Sequence, residues 1–284
     1  MKISPISKIT LEGREFLIKR DDLFDKFLAG NKYRKLHTLL NTPKEQLKTI
    51  ISYGGTQSNA MVAIAAMCKE KDWEFVYYTK PINKVMKDQS FGNFYDAKQL
   101  GMIHNEIVIE QYKEFIASLR LNLAHDTQII DQGGADRSAK EGLKTLGEEI
   151  LSQNLEIDAI CTPSGTGTTA LFLAQSLPQY KIYTTPCVGN AEYLKEQMQA
   201  IGVIPSNLII LESDKKYHFA KPYKEFIEMY QKLQNTGIEF DLLYAPAMWI
   251  NLLKRKDEKI LYIHSGGVSG NESMLKRYSQ KGWY

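Results

Sequence analysis

The chain has 284 residues, a net charge of +3, 43% apolar and 24% charged residues; that is an ordinary globular composition, long enough for one large domain or two modest ones. Its bases are interspersed with acids and leave no cationic tract for nucleic acid, while Cys68, Cys161 and Cys187 lie far apart with no CxxC spacing, which argues against a zinc ribbon or a disulfide framework. "MKISPISKITLEGREF" lacks an apolar signal core, and the longest apolar run, 60–68, is far too short for a bilayer, so the expectation is a cytoplasmic protein with no membrane partner.

In chain order, "IKRDDLFDKFLAGNKYRKL" (18–36) presents Lys32 directly after the small step Ala29-Gly30-Asn31, at the mouth of a helix whose apolar spacing resumes at Leu36, Leu39 and Leu40. "KTIISYGG" (48–55) reads as a strand ending in glycines, and 59–71 as a helix. Residues 74–80 read as a strand and 89–102 as helical. "DTQIIDQGG" (126–134) is a strand and a glycine turn before an amphipathic helix over 138–153. Residues 156–169 form a strand and a glycine loop before a helix over 170–177, and "KIYTTP", "NLIILES" and "KILYIHSGG" read as further strands. Strands alternating with helices predict parallel sheets of the α/β class. Ligands in open α/β sheets sit at the carboxyl ends of the strands. No Pro- or Gly-rich linker marks a boundary, so a second domain must be interwoven.

Three of these loops carry polar chemistry. "TPSGTGTTAL" (162–171) offers an anion cradle, because Gly165 and Gly167 allow close backbone approach, Thr166, Thr168 and Thr169 supply hydroxyls, and a helix N-terminus follows. It is neither a Walker loop nor a GxGxxG fingerprint. "GGTQSNA" (54–60) gathers Gln57, Ser58 and Asn59 at a helix start, and "HSGGVSGN" (264–271) ends a strand with Ser265 and two glycines. Read singly, "GGTQSNA" and "HSGGVSGN" are plain capped turns and "TPSGTGTTAL" also fits one, and Lys32 alone reads as a solvated lysine.

Their order along the chain is more specific. "IKRDDL", "GNKYRKL", "GGTQSN", "FGN" (91–93), "GGADRSAKEGL", "SGTGTT", "DLLY" (241–244) and "YIHSGG" together resemble the fold type II pyridoxal-phosphate enzymes, and among them the 1-aminocyclopropane-1-carboxylate deaminase and D-cysteine desulfhydrase family. The resemblance implies two open, twisted, mainly parallel sheets flanked by helices. It implies a larger domain of residues 1–34 and 130–284, a smaller one of 35–129, and a homodimer. The cofactor implied is pyridoxal 5'-phosphate, carried on Lys32 as a Schiff base. Its phosphate would lie on Gly165, Thr166, Gly167, Thr168 and Thr169, its phenolic oxygen on Asn59 and its pyridine nitrogen on Ser265. Ser58 would bind the substrate carboxylate with Gln57 and Asn59 nearby, and Tyr244 would face the substrate, so that Lys32, Ser58 and Tyr244 form the catalytic set.

The free lysine amine has to accept the α-proton, which requires burial or cationic neighbours to lower its pKa; Arg34 and Lys35 are candidate neighbours. Ala245 stands where the deaminases carry the glutamate implied in ring opening, and Ala60 where the family carries histidine or glutamine after "QSN". Both are read as departures in the substrate-facing set. The expected function is therefore a lyase of the D-cysteine desulfhydrase type acting on a small amino acid. The alternatives are 1-aminocyclopropane-1-carboxylate deaminase, a pyridoxal-phosphate protein without turnover, and a phosphate binder using the "SGTGTT" loop alone. His264 is read as structural, and Asp21 and Asp22 as partners of neighbouring bases or backbone.

Overall fold

A hairpin opens the chain. Strand β1 (Ile6–Leu11) and strand β2 (Arg14–Lys19) pair antiparallel around the two-residue turn Glu12-Gly13, whose backbone takes positive φ at both positions, as the twist of a tight hairpin requires. The computed structural model describes residues 3–28, 30–121, 123–255 and 258–284. Ala29 of the glycine step, and residues 256 and 257 of the charged stretch 253–259, lie outside the described residues.

Short helices α1 (Gly30–Lys35) and α2 (His37–Asn41) follow. Next come β3 (Thr49–Tyr53), α3 (Asn59–Lys71), β4 (Glu74–Thr79), α4 (Lys84–Lys87), α5 (Asn93–Gln99), β5 (Ile103–Glu106), α6 (Tyr112–Ser118) and β6 (Thr127–Ile130). The chain continues through α7 (Ala139–Ser152), β7 (Ala159–Cys161), α8 (Thr168–Ser176), β8 (Lys181–Thr184), α9 (Ala191–Gln199) and β9 (Leu208–Ile210). It ends with α10 (Lys224–Gln234), α11 (Ala245–Leu252), β10 (Ile260–Ile263) and α12 (Asn271–Ser279).

Two sheets result, ordered β1-β2-β10-β7-β8-β9 and β5-β4-β3-β6. Every pairing is parallel except the opening hairpin, so the expected α/β class with two mainly parallel sheets holds. The smaller sheet packs its own core, in which α3 is apolar on nearly all sides and lies buried from Ala60 to Ala65. The larger sheet carries α8 in the same way, buried from Thr168 to Ala174. Among the described residues no helix is long and apolar enough to cross a membrane.

Two expectations shift. The helix expected over 89–102 begins only at Asn93, because Gly92 takes φ 84°, outside the helical region. Strand β5 went unread because it is an edge strand whose residues Ile103–Glu106 are half-buried or exposed, with no apolar alternation to signal it.

Candidate active site

A cavity of about 250 Å³ lies where β3, β6, β7, β8 and β10 end, so it is bounded by both sheets. All eleven residues proposed from sequence line it: Lys32, Gln57, Ser58, Asn59, Gly165, Thr166, Gly167, Thr168, Thr169, Tyr244 and Ser265. Asn31, Gln132, Gly133, Phe219 and Asp241 line it too, with no site role assigned to them from sequence, as does Lys35, expected only as a charged neighbour of Lys32.

Lys32 sits in the first turn of α1, which is gripped from two sides. Gly30 takes φ 57° directly against the Ser265 carbonyl, where a Cβ would overlap the backbone, and the Asn31 amide donates to that same carbonyl at 3.3 Å. The Lys32 amine donates to Asn31 Oδ1 at 2.9 Å. Burial lowers its pKa to about 8, against the opposing pull of the Asp241 carboxylate. That is the near-neutral amine a proton acceptor needs.

Neither of the two bases expected to lower this pKa contributes, since burial alone does so. Arg34 turns away from the cavity into a buried cluster with Asp21 and Glu149. Lys35 faces inward, its amine donating to the Gly133 carbonyl at 3.2 Å. Burial, and then the neighbouring Lys32, drive its pKa well down. The signal that could have found it was the i, i+3 spacing from Lys32, which puts two amines on one helix face. Asp22 pairs with Arg20, as read from sequence, whereas Asp21 pairs with Arg34.

The glycine loop closes the floor. Gly167 and the first turn of α8 direct free backbone N–H groups inward. The Thr166 and Thr168 hydroxyls lie 2.9 Å apart, and Asn31 Nδ2 donates to Thr169 Oγ1 at 3.4 Å. Ser58 caps α3, accepting from the Met61 amide at 3.2 Å, so it is both a cap and a cavity residue. Gln57 Oε1 accepts from the Ser273 hydroxyl at 2.9 Å. Tyr244 lies beside Gly165 and packs on Phe219 with ring centroids 5.3 Å apart.

Asp241 is the buried carboxylate of the cavity. Its Oδ1 accepts from the Leu243 and Tyr244 amides at 3.0 and 2.6 Å, and burial raises its pKa to about 7 despite those bonds. Ala60 and Ala245 are both buried in hydrophobic clusters and neither lines the cavity; the expectation that they face the substrate is corrected, because each sits on the inner side of its helix start. His264 is buried against Phe240, with Nε2 bonded to the Glu239 carbonyl at 2.8 Å and Nδ1 accepting from the Gly266 amide at 3.1 Å. It shapes the Ser265-Gly266 turn, in keeping with its structural reading.

Known proteins share the fold. No protein-family profile matches the chain. A bifunctional D-cysteine desulfhydrase/1-aminocyclopropane-1-carboxylate deaminase of Arabidopsis thaliana is 25% identical, over 91% of this chain and 73% of that protein. A D-cysteine desulfhydrase of Yersinia enterocolitica is 24% identical over 90% and 87%. The solved structure of an ACC deaminase homologue superposes with a TM-score of 0.75 at 22% identity, covering 97% of this chain and 94% of the other. The chain is similar in sequence and fold to the 1-aminocyclopropane-1-carboxylate deaminase and D-cysteine desulfhydrase family.

The likeness implies pyridoxal phosphate as cofactor, the group on which one similar solved structure, a pyridoxal 5'-phosphate-dependent aspartate racemase, relies, and two features of the cavity bear on its fit. Ser265 lines the cavity beside Gly266, and its buried hydroxyl has no hydrogen-bond partner among the described residues, as a group awaiting a ring nitrogen would. Two lysine amines and one helix N-terminus face a single carboxylate, a balance that suits a phosphate dianion. The residues present fit the cofactor.

Proposed function

We propose that the chain is a pyridoxal-phosphate-dependent lyase acting on a small neutral amino acid, of the D-cysteine desulfhydrase type. The observation that carries this reading is the Lys32 amine, held near pKa 8 in the same cavity as a glycine–threonine helix N-terminus. Bound there, pyridoxal phosphate supplies an electron sink for the pair left when a bond to an amino-acid α-carbon breaks.

In this reading Lys32 would hold the cofactor, and its Nζ, when free, would take the substrate's α-proton. Thr166, Thr168, Thr169 and the α8 amides bind the phosphate, which restores charge to Lys35. Asn59 and Ser265 hold the ring edges. The neutral Ser265 hydroxyl leaves the ring nitrogen largely unprotonated, which disfavours transamination and leaves β-elimination open. Ser58, with Gln57 and Asn59, receives the substrate carboxylate. Tyr244 and Phe219 close the side-chain end against water. A thiolate leaves from the β-carbon, and hydrolysis of the released enamine gives a 2-oxo acid and ammonia, with sulfide as the third product.

Chemistry favours this over cyclopropane opening. That reaction needs an acid beside the substrate, but Ala245 is in the core and Asp241 is already engaged by two backbone amides. Among the described lining residues there is no arginine and no carboxylate besides Asp241, and this reading gives Lys32 and Lys35 to the cofactor, so no group is left to match a charged side chain. We also propose that 35–129 is the smaller domain, that 1–34 and 130–284 form the larger, and that the protein is a homodimer.

Purified protein should be yellow, and Lys32→Ala should lose that absorbance. A panel of D- and L-amino acids read by 2-oxo-acid release then identifies the substrate. A colourless protein that takes up no added pyridoxal phosphate would refute the reading. A yellow one that turns over nothing would leave a binding protein instead.

A further inference from the structure

The "FGN" motif at 91–93 has no part in the site described so far, yet Asn93 is buried, with 1% of its surface exposed. It starts α5, among the elements of the smaller sheet, and reaches two others. Its Nδ2 donates to the Gln57 carbonyl at 3.2 Å and to Asn59 Oδ1 at 2.7 Å, and its Oδ1 accepts from the Ser269 hydroxyl at 2.7 Å. Ser269 follows β10, in the larger sheet.

The donor–acceptor logic runs one way. A backbone carbonyl only accepts, so the end of the Asn93 amide facing Gln57 O must be its NH₂. The second hydrogen of that NH₂ meets Asn59, which must therefore present its oxygen. The Asn59 NH₂ is then forced to the opposite side, where it lies against Gly267, next to Gly266 of the cavity lining, to which Asn59 itself belongs. Without the backbone anchor the two ends of Asn59 would be nearly interchangeable in shape.

We propose that Asn93 is a positioning residue that holds the Asn59 amide with N–H, never C=O, toward the cavity, and so makes that wall selective for an anionic ring oxygen. The proposal rests on the pyridoxal-phosphate reading, whose phenolic oxygen is that acceptor. The relay also joins elements of both sheets, so this orientation exists only where α5 and the turn after β10 meet.

The test is Asn93→Asp. The carboxylate still accepts from Ser269 but cannot donate to Asn59, and it attracts the Asn59 NH₂ back toward itself, leaving C=O at the cavity. Affinity for pyridoxal phosphate should fall roughly 10- to 100-fold, the loss expected of a hydrogen bond to a charged group. The pH midpoint of the bound cofactor's absorbance should move with it. Asn93→Ala removes the anchor without imposing the reverse orientation and should lose clearly less. Melting of the cofactor-free proteins controls for a structural role. If both variants lose affinity only in proportion to stability, or Asn93→Asp binds as wild type with an unmoved midpoint, the relay is overturned while the functional reading stands. Where Asn93→Asp does not fold, wild-type affinity in Asn93→Ala overturns the relay equally. Wild type that takes up no cofactor overturns both.

Discussion

Arg34 Nη1 and Glu149 Oε2 lie 2.8 Å apart, with the arginine side chain fully closed to solvent and the glutamate 5% exposed. Asp21 takes the other arm of the guanidinium at 2.8 Å, and Lys19 pairs with Glu149 from β2. Two bases and two acids thus cancel inside the protein, and they tie α1, two residues from Lys32, to α7 and the opening hairpin. Burial lowers the Lys19 pKa against the pull of Glu149. Such a cluster is worth little over an apolar core, but removing one member strands a charge.

Glu149→Ala leaves both bases short of a partner and should cost about 3–5 kcal/mol, read from urea unfolding of the cofactor-free protein. Burial pushes the Glu149 carboxyl up, but hydrogen bonds from Arg34 and Lys19 outweigh it and hold the group below the usual range. Its contribution is therefore full at neutral pH and above its unfolded pKa, and is lost as pH falls through the lower folded value. A stability loss in Glu149→Ala that is no smaller at acid pH than at neutral pH would contradict this.

Only the neutral form of Lys32 attacks the cofactor aldehyde. The rate of colour formation on mixing apoprotein with pyridoxal phosphate should rise with pH through about 8. Asp241→Asn removes the carboxylate that opposes this shift and should move the midpoint lower. Stopped-flow absorbance across pH checks both; a midpoint near the ordinary lysine value of about 10.4 would show a solvated amine.

Gly30→Ala should disrupt the site from its floor. The added methyl meets the Ser265 carbonyl and the φ of 57° penalises any side chain, so a loss of more than about 1 kcal/mol is expected. Because Ser265 moves with it, the yellow absorbance should weaken along with the urea midpoint.

Ser265→Ala isolates the unpartnered hydroxyl. Apoprotein stability should hold or rise slightly, since a buried orphan group is removed. Cofactor affinity should fall by about 1 kcal/mol, roughly fivefold, measured by equilibrium absorbance titration. Unchanged affinity would place the ring nitrogen elsewhere.

The legibility of this protein in its sequence follows the range of the forces involved. Strand–glycine–helix steps such as "KTIISYGG" into α3 and "SGTGTT" into α8 are local, set by β-branched runs, caps and helix starts, and they were readable together with the residues that converge on the cavity. Edge strand β5 was not, because an exposed edge carries no apolar period. The i, i+3 spacing ties Lys35 to the face of Lys32, but the outward turn of Arg34 and the burial of Ala60 and Ala245 depend on which elements pack against α1, α3 and α11, and no local pattern encodes that. Asn93 is the clearest case. Its sequence context is an ordinary helix start, and its role exists only because folding brings the Gln57 carbonyl and the Ser269 hydroxyl, 36 and 176 residues away, within hydrogen-bond distance of one amide.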